Sequence, residues 1–259
     1  MSLGFREHVV LVERDVVFAA SRPVGISNVR RRTDDIWRLR LDTGGVEGCA
    51  QAMASLPRGR LCRMDCLHVL AGFGLVHYQV VPWPDGARSL RDLEALAAGR
   101  FARRFGGMSR GWKIAMTHAA FGCPHLAVAV DGDWLDHVHR LVVQARLRWV
   151  TCRDVLHEVV RRTPLDASAD ASIAVHHTGG LSCLLRRGGR WHDVCALPLA
   201  QRCVAQTLDT LQTLCGVDDA PLWLARAHGR APSPNDDRIC VGREACSAAA
   251  PHPWLWESA

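Results

Sequence analysis

The sequence contains one order of predicted elements twice: three strands, a helix and a fourth strand. The first copy lies at about residues 8–67 and the second at about residues 172–226. The strands are indicated by β-branched runs and by alternating apolar side chains, and the helices by apolar residues three and four positions apart. The strands predicted for the two copies are 8–12, 16–20, 36–41, 61–67, 172–177, 180–186, 190–196 and 221–226. The repeat predicts an α/β fold with two similar halves.

A smaller β-α-β-β group, at about residues 76–130, lies between the two copies. Its helix is predicted to begin at Ser89, because Ser89 and Asp92 have the spacing of a capping box. Three antiparallel strands, a helix and a parallel strand form the ribonuclease-H-like unit, and two such units joined by a crossing helix form the actin-like architecture. We therefore expect an actin-like α/β fold, with two ribonuclease-H-like β-β-β-α-β halves and a small β-α-β-β insert in the first half.

The expected domain limits follow from this order and from one polar stretch. Residues 163–171, TPLDASADA, are the best internal boundary. We expect a first half at 1–162 that contains the insert, a shortened second half at 172–227 and a loosely packed tail at 228–259. The tail carries Trp254 and Trp256, which either fold back onto the body or anchor in a partner.

The composition indicates a folded protein outside the membrane. The chain has 259 residues, of which 48% are hydrophobic and 22% are charged. No biased tract or long heptad pattern is present, so disorder and coiled coil are excluded. No run of about 18 uncharged apolar residues occurs, and the first 15 residues lack the layout of a signal peptide. We therefore expect a cytoplasmic location.

The basic residues leave a second interpretation open. The chain has 32 Lys and Arg, and all of them except Lys113 are arginine. A basic chain of this kind is attracted to nucleic-acid phosphates. However, 26 acidic residues are interspersed and the net charge is only +6, so coding bias explains the arginines better. A basic nucleic-acid-binding protein stays an alternative, with the cluster Arg30–Arg32 as its binding residues.

No metal site and no catalytic residue are predicted. The 11 cysteines include no CxxC pair, which favours buried thiols over zinc ligands. A zinc site at Cys62, Cys66 and His68 requires a strand there, and the two thiols would then lie roughly 13 Å apart. The helical spacing of His137 and His139 points them about 200° apart, so they do not share a metal. Serines and cysteines near histidines at 176–195 lack the Gly-x-Ser-x-Gly pattern of a nucleophile.

Two stretches carry a resemblance to a known family. They are residues 112–136, which contain WKIAM and HLAVAVDGDWLD, and residues 173–191, IAVHHTGGLSCLLRRGGRW. In its order of elements over about residues 6–227, the chain is similar to the PilM protein of type IV pili and the cytoplasmic part of GspL of type II secretion. The resemblance implies a non-enzymatic cytoplasmic scaffold or assembly protein, peripheral to the inner membrane.

In this superfamily, nucleotide phosphates sit between two hairpin turns, one in each half. The first turn here, at 13–15, has no glycine, and only Arg14 is available to meet a phosphate. The second turn retains Thr178, Gly179 and Gly180 but has histidine where an acid is expected. We therefore predict a degenerate nucleotide site at these four residues and no required cofactor. An actin-like ATPase or kinase relative that binds ATP stays the main alternative.

The resemblance also implies partners. They are the cytoplasmic N-terminus of a PilN-like membrane protein and an assembly ATPase; a homodimer is left open. A groove formed by the insert and the adjoining sheet would hold a short peptide by strand addition or apolar anchors. The residues predicted for this surface are Val80, Trp83, Trp112 and Ile114. The positive charge also favours an anionic membrane face.

Overall fold

The structure is a computed structural model. It describes residues 2–25, 36–117, 120–164, 170–199, 206–208, 210, 213, 222–227, 229–230, 245–247 and 256–257. The strands are β1 (Ser2–Val12), β2 (Val17–Gly25), β3 (Trp37–Leu41), β4 (Cys66–Ala71), β5 (Val76–Val81), β6 (Lys113–Met116), β7 (His125–Val130), β8 (Arg148–Asp154), β9 (Ala171–His176), β10 (Gly180–Arg187), β11 (Arg190–Pro198), β12 (Leu222–Arg226), β13 (Gly229–Arg230), β14 (Ala245–Ser247) and β15 (Trp256–Glu257). The helices are α1 (Gly45–Ser55), α2 (Leu90–Phe105), α3 (Gly132–Gln144) and α4 (Val155–Arg162).

The first sheet has the strand order β3-β2-β1-β4-β8. β1, β2 and β3 pair antiparallel, whereas β4 is parallel to β1 and β8 is parallel to β4. The central position of β1 explains its apolar run, since Val9, Val10, Leu11 and Val12 are all fully buried. This arrangement is the one expected for a ribonuclease-H-like unit.

The second sheet has the order β11-β10-β9-β12-β14, which repeats the order of the first. β9, β10 and β11 pair antiparallel, and β12 is parallel to β9. The fifth strand, β14, is parallel to β12 and comes from the segment predicted to be a tail. The second half therefore extends beyond residue 227, at least to Ser247. The Ala-Cys-Ser sequence of β14 contains no β-branched residue, so it carries no strand signal.

Two other predictions concern segments that the structure describes only in part. The helix predicted before the last strand of the second copy is helical at its described residues 206–208, 210 and 213. β15, which contains Trp256, pairs in parallel with β13, so this part of the tail pairs with another part of the tail. Trp254 and the cluster Arg30–Arg32 lie outside the described residues.

The insert is a three-stranded antiparallel sheet, β5-β7-β6, covered on one face by α2. α2 begins as predicted: the Ser89 hydroxyl accepts from Asp92 N, and the Asp92 carboxylate accepts from Ser89 N. Leu93, Ala97 and Phe101 of α2 pack on this face. The opposite face contributes Val76 and other residues to the main core.

The halves share one core. It joins residues of the first sheet with Ile173, Val175 and Ala225 of the second. α1 and α3 pack against each other on one side of the first sheet, and α4 contacts both β8 and β9. The actin-like α/β fold predicted from the repeat is confirmed. The domain limits at 162 and 172 stay predictions, whereas β14 pairs with β12 from beyond the limit at 227.

One strand prediction was wrong. Residues 61–67 were expected to form a strand, but Cys62–Met64 form a 3-10 turn and β4 begins only at Cys66. The cause is the buried Asp65 carboxylate, which accepts hydrogen bonds from Arg6 N at 2.7 Å and Gly59 N at 3.1 Å. These bonds hold the preceding residues in a compact loop that local alternation does not reveal.

Candidate functional site

Two hairpin turns face each other where the halves meet. The first follows β1 and is closed by the hydrogen bond from Glu13 N to Val16 O, 2.9 Å. The second follows β9 and is closed in the same way, from His177 N to Gly180 O, also 2.9 Å. Glu13 and His177 thus occupy equivalent positions in the two halves, each directly after the first strand of its sheet.

A buried hydrogen-bonded pair connects the turns. His177 Nδ1 donates to Glu13 Oε1 over 2.8 Å, and Thr178 N donates to Glu13 Oε2 over 3.2 Å. Glu13 is 2% exposed and His177 is 1% exposed. Both carboxylate oxygens are therefore directed at the second turn, in a place from which water is largely excluded. Hydrogen bonds to an ionised group in such a place are stronger than those in water.

Aromatic and backbone packing completes the contact. Phe73 lies between the turns: its carbonyl accepts from Arg14 N at 3.0 Å, and its ring centroid is 5.8 Å from that of His177. A Cβ added at Gly180 would come within 2.2 Å of the Phe73 ring. Gly180 is therefore required for the close approach of Phe73 to β10.

The structure thus places all four residues of the predicted nucleotide site at the facing turns. Arg14, Thr178 and Gly179 are exposed, and Gly180 is buried. The Arg14 side chain packs beside Gly74, where an added Cβ would lie 2.6 Å from Arg14 Cβ. The Thr178 amide, which would be a phosphate donor in a nucleotide site, donates instead to the Glu13 carboxylate. The carboxylate is an anion fixed beside the position of a phosphate, and it would repel one.

A groove lies between the insert and the first sheet, with a volume of about 390 Å³. The face of the insert opposite α2 supplies one wall, and β8, α3 and α4 supply the other. Its apolar lining residues are Ala71, Val76, Ile114, Ala115, Val128, Val130 and Leu135. β6 is an edge of the insert sheet, because the order is β5-β7-β6. A groove with an apolar lining beside a free strand edge suits an extended peptide.

Charged side chains form the rim of the groove. Glu158 accepts from Arg153 Nη1 at 2.6 Å, from Arg161 Nη2 at 2.8 Å and from Arg162 Nε at 3.3 Å. Burial alone would raise the pKa of Glu158, but the bonds from Arg161 and Arg153 outweigh it and lower the pKa to about 2. The carboxylate is therefore ionised and fully engaged. The groove lining includes Lys113, Arg153 and Arg161 against Asp154 and Glu158, so its positive charges outnumber its negative charges by one.

The four residues predicted for partner binding do not lie on one surface. Ile114 borders the groove, but it packs together with Trp83 and Trp112 in the core of the insert. Trp83 and Trp112 pack in the core that the insert forms with α2, where Trp112 stacks on His77 with ring centroids 4.5 Å apart. Val80 packs against the main core. The groove-lining residues Ala115 and Val128 were not singled out, because small apolar residues in short strands look like ordinary core.

The described histidines and cysteines are not arranged as a metal site. Within the ranges that the structure describes, no three His, Cys, Asp or Glu residues are grouped so that they would hold a metal ion. His68 Nε2 lies 3.1 Å from Glu7 Oε1, and its Nδ1 lies 3.0 Å from Thr151 Oγ1. Burial raises the pKa of Cys152, beside the groove, to about 12. This thiol is therefore protonated at neutral pH and is a poor nucleophile.

Sequence reasoning missed the pair Glu13 and His177. Glu13 was not singled out from the sequence, and His177 was considered only where an acid is expected and as a neighbour of candidate nucleophiles. The available signal was their equivalent position in the repeat, directly after the first strand of each half. A polar residue directly after a strand with an apolar run points to a buried contact.

Comparison with known proteins places the fold among actin-like folds. The cytoplasmic domain of EpsL, an inner-membrane component of the Vibrio cholerae type II secretion system, matches with a TM-score of 0.56 and 14% identity over 98% of this chain and 90% of that chain. A chain of a PilM–PilN type IV pilus biogenesis complex matches with a TM-score of 0.57 and 11% identity over 91% of this chain and 83% of that chain. A Bacteroides thetaiotaomicron protein with an actin-like ATPase fold matches with a TM-score of 0.53 and 5% identity over 92% of this chain and 86% of that chain.

No protein-family model and no curated protein matches the sequence. At these identities the likeness concerns the fold: this chain has the actin-like fold seen in PilM and in the cytoplasmic domain of EpsL. Among the described helices, none combines the length and the apolar composition needed to cross a bilayer.

Proposed function

We propose that this chain is a non-enzymatic scaffold of a type IV pilus or type II secretion-like inner-membrane platform, located at the cytoplasmic face of the membrane. Its partner would be the cytoplasmic N-terminus of a PilN-like membrane protein, bound in the groove. The single observation that carries the proposal is the groove of about 390 Å³, on a fold shared with a PilM–PilN complex and the EpsL cytoplasmic domain.

The lining of the groove defines the peptide that fits it. Apolar side chains of the peptide would occupy the space between Ala115, Val128 and Leu135. The surplus of positive charge on the rim favours acidic residues flanking these anchors. An extended backbone would pair with the free edge of β6, as in other strand-addition complexes.

The junction of the two turns supports a role without catalysis. The Glu13 carboxylate accepts hydrogen bonds from the Thr178 amide and the His177 imidazole. Fewer hydrogen-bond donors are therefore left for a triphosphate. The energetic cost of displacing a buried, hydrogen-bonded carboxylate makes ATP binding unfavourable here.

Co-expression of the full chain with the cytoplasmic segment of the PilN-like protein encoded by a neighbouring gene tests the proposal. The two are expected to copurify as a stoichiometric complex. Neighbouring genes that encode only a metabolic pathway, or a segment that elutes separately, would contradict it.

The two alternative functions are tested by binding measurements on the same purified protein. ATP binding that is lost in a Gly179→Asp variant would favour the actin-like ATPase. Salt-sensitive polynucleotide binding that depends on Arg30–Arg32 would favour the nucleic-acid-binding protein. Neither is expected.

A further inference from the structure

The loop between α1 and β4 presents apolar side chains to solvent among arginines. Leu61 is 52% exposed and Met64 is 49% exposed. Arg58, Arg60 and Arg63 lie in the same loop and are all exposed. From residue 48 to residue 64 the sequence contains no Asp or Glu. Exposed large apolar residues within an unbroken basic segment are unusual for a surface that faces only water.

This loop is rigid. Leu61 N donates to Gly4 O of β1, and Gly59 N donates to the buried Asp65 carboxylate over 3.1 Å. A Cβ added at Gly59 would lie 2.4 Å from Gly4 O, so the loop lies directly against β1. Met64 N donates back to Leu61 O at 2.8 Å. The two apolar side chains are therefore held outward by the fold and do not result from disorder.

A second acid-free segment lies beside the loop. The sequence from 137 to 153 contains no Asp or Glu and includes Arg146 and Arg148. Arg58 Nη2 donates to Arg146 O over 3.3 Å, and Arg148 N donates to Asp65 O over 2.9 Å. The two segments thus meet at the end of the first sheet where β4 and β8 begin. We call this surface the basic end, and it consists of Arg58, Arg60, Leu61, Arg63, Met64, Arg146 and Arg148.

Two carboxylates beside the basic end in the first sheet are already engaged. Asp65 is fully buried and lies 3.5 Å from Arg58 Nε. Glu7 binds Arg22 Nη2 at 2.8 Å and His68 Nε2 at 3.1 Å, and the bond to His68 and the charge of Arg22 lower its pKa to about 2. In contrast, Arg60, Arg63 and Arg146 form no ion pair with a described residue. Their charges are available to an external anion.

We propose that the basic end binds the anionic surface of a phospholipid bilayer, with Leu61 and Met64 inserted below the headgroups and the arginines on lipid phosphates. The pattern of apolar tips surrounded by arginine is the one that interfacial membrane contacts use. Arginine is suited to phosphate because its planar group donates two parallel hydrogen bonds. This inference deepens the peripheral membrane location in the proposed function and rests on it.

If the basic end faces the bilayer, the groove lies within reach of a partner segment that leaves the membrane. The basic end is at the start of β8, and the groove is at its end, near Asp154. A strand of this length spans roughly 20 Å. A partner segment leaving the bilayer would therefore cover this distance with about six or seven extended residues before it enters the groove.

Vesicle flotation of the purified full chain tests the inference. The vesicles are phosphatidylcholine alone or phosphatidylcholine with phosphatidylglycerol. We expect binding only to the anionic vesicles, weakening as salt is raised. Arg60→Ala with Arg63→Ala should weaken binding about fivefold for each arginine removed. Leu61→Ser with Met64→Ser should weaken it roughly tenfold at unchanged charge.

The matched control is Arg91→Ala with Arg103→Ala, which removes the same charge from the exposed surface of α2. It should bind nearly as well as the unmodified chain. Equal binding to neutral and anionic vesicles, or full binding by the Arg60/Arg63 variant, would overturn the inference. A polynucleotide bound through Arg60 and Arg63 without vesicle binding would overturn it in favour of nucleic acid. Because the vesicles contain no protein, this experiment tests the basic end alone. Binding of the partner in the groove is tested separately by copurification.

Discussion

His177 Nδ1 donates a 2.8 Å hydrogen bond to Glu13 Oε1, and this bond joins equivalent turns of the two halves. The partners are 164 residues apart in the chain. Glu13 also accepts from Thr178 N, so one side chain of the first half satisfies two donors of the second. The carboxylate thereby holds the two turns together.

Glu13→Ala should destabilise the protein. The substitution removes the acceptor of the buried His177 Nδ1, which costs about 2–4 kcal/mol. The free energy of unfolding in urea measures the loss. Asp15→Ala, in the same turn but exposed, is the control and should change stability by less than about 0.5 kcal/mol. Equal effects of the two substitutions would contradict a structural role for the pair.

The adjacent glycines of the second turn should respond differently to alanine. Gly180→Ala places a Cβ against the Phe73 ring and should cost about 1–3 kcal/mol. Gly179→Ala meets only Asp15 Oδ2, at 4.0 Å, and should be nearly neutral. Thermal unfolding of the two variants separates them. A Gly180→Ala protein as stable as the Gly179→Ala protein would show that Phe73 does not pack as described.

Glu158 should make the folding stability depend on pH in the acidic range. Its pKa falls from 4.5 to about 2 in the folded state, against the effect of burial, because Arg161 and Arg153 bind it. The unfolded chain thus takes up the proton first, and this contribution, complete above about pH 4.5, is lost as the pH falls towards 2.

Glu158→Gln removes that contribution. At pH 7 the variant should be less stable by about 1–2 kcal/mol, since the arginines around Glu158 are partly exposed to water. The difference between the two proteins should shrink as the pH is lowered from 4.5 towards 2. Urea unfolding at several pH values measures it, and a difference that stays constant with pH would exclude an ionised Glu158.

His8 should make the folding stability depend on pH in a higher range than Glu158 does. Burial lowers its pKa from 6.5 to about 4. Since the unfolded chain binds the proton first, stability is lost as the pH falls from 6.5 to 4, by up to about 3 kcal/mol. In His8→Leu this loss should be absent. A variant with an unchanged pH profile between 6.5 and 4 would assign the loss to another group.

The order of elements was predictable because each element has a local signal. The apolar runs of β1 and β9, the amphipathic pattern of α3 and the capping box at Ser89 all depend on neighbours within a few residues. The repeat of these signals was enough to predict the actin-like fold. Strand 61–67 failed because the bonds that replace it, from Arg6 N and Gly59 N to Asp65, depend on tertiary structure.

The candidate site was predictable only in position. Glycines in the second turn and Arg14 in the first located the junction of the halves. The contact between Glu13 and His177 has no local pattern, and neither does the groove, whose walls come from the insert and from β8 and α4. Side chains from distant segments form both features, so the fold must be known before they are visible.

The central claim is that a partner peptide binds in the groove, and calorimetric titration with the cytoplasmic N-terminal peptide of the PilN-like protein tests it most directly. Ala115→Arg fills the groove from its exposed wall, and Ala102→Arg adds the same side chain to the exposed surface of α2. We expect binding to the unmodified chain and to Ala102→Arg, with at least a tenfold loss in Ala115→Arg, or about 1.4 kcal/mol. Equal affinity of all three proteins, or no binding by any of them, would contradict the account.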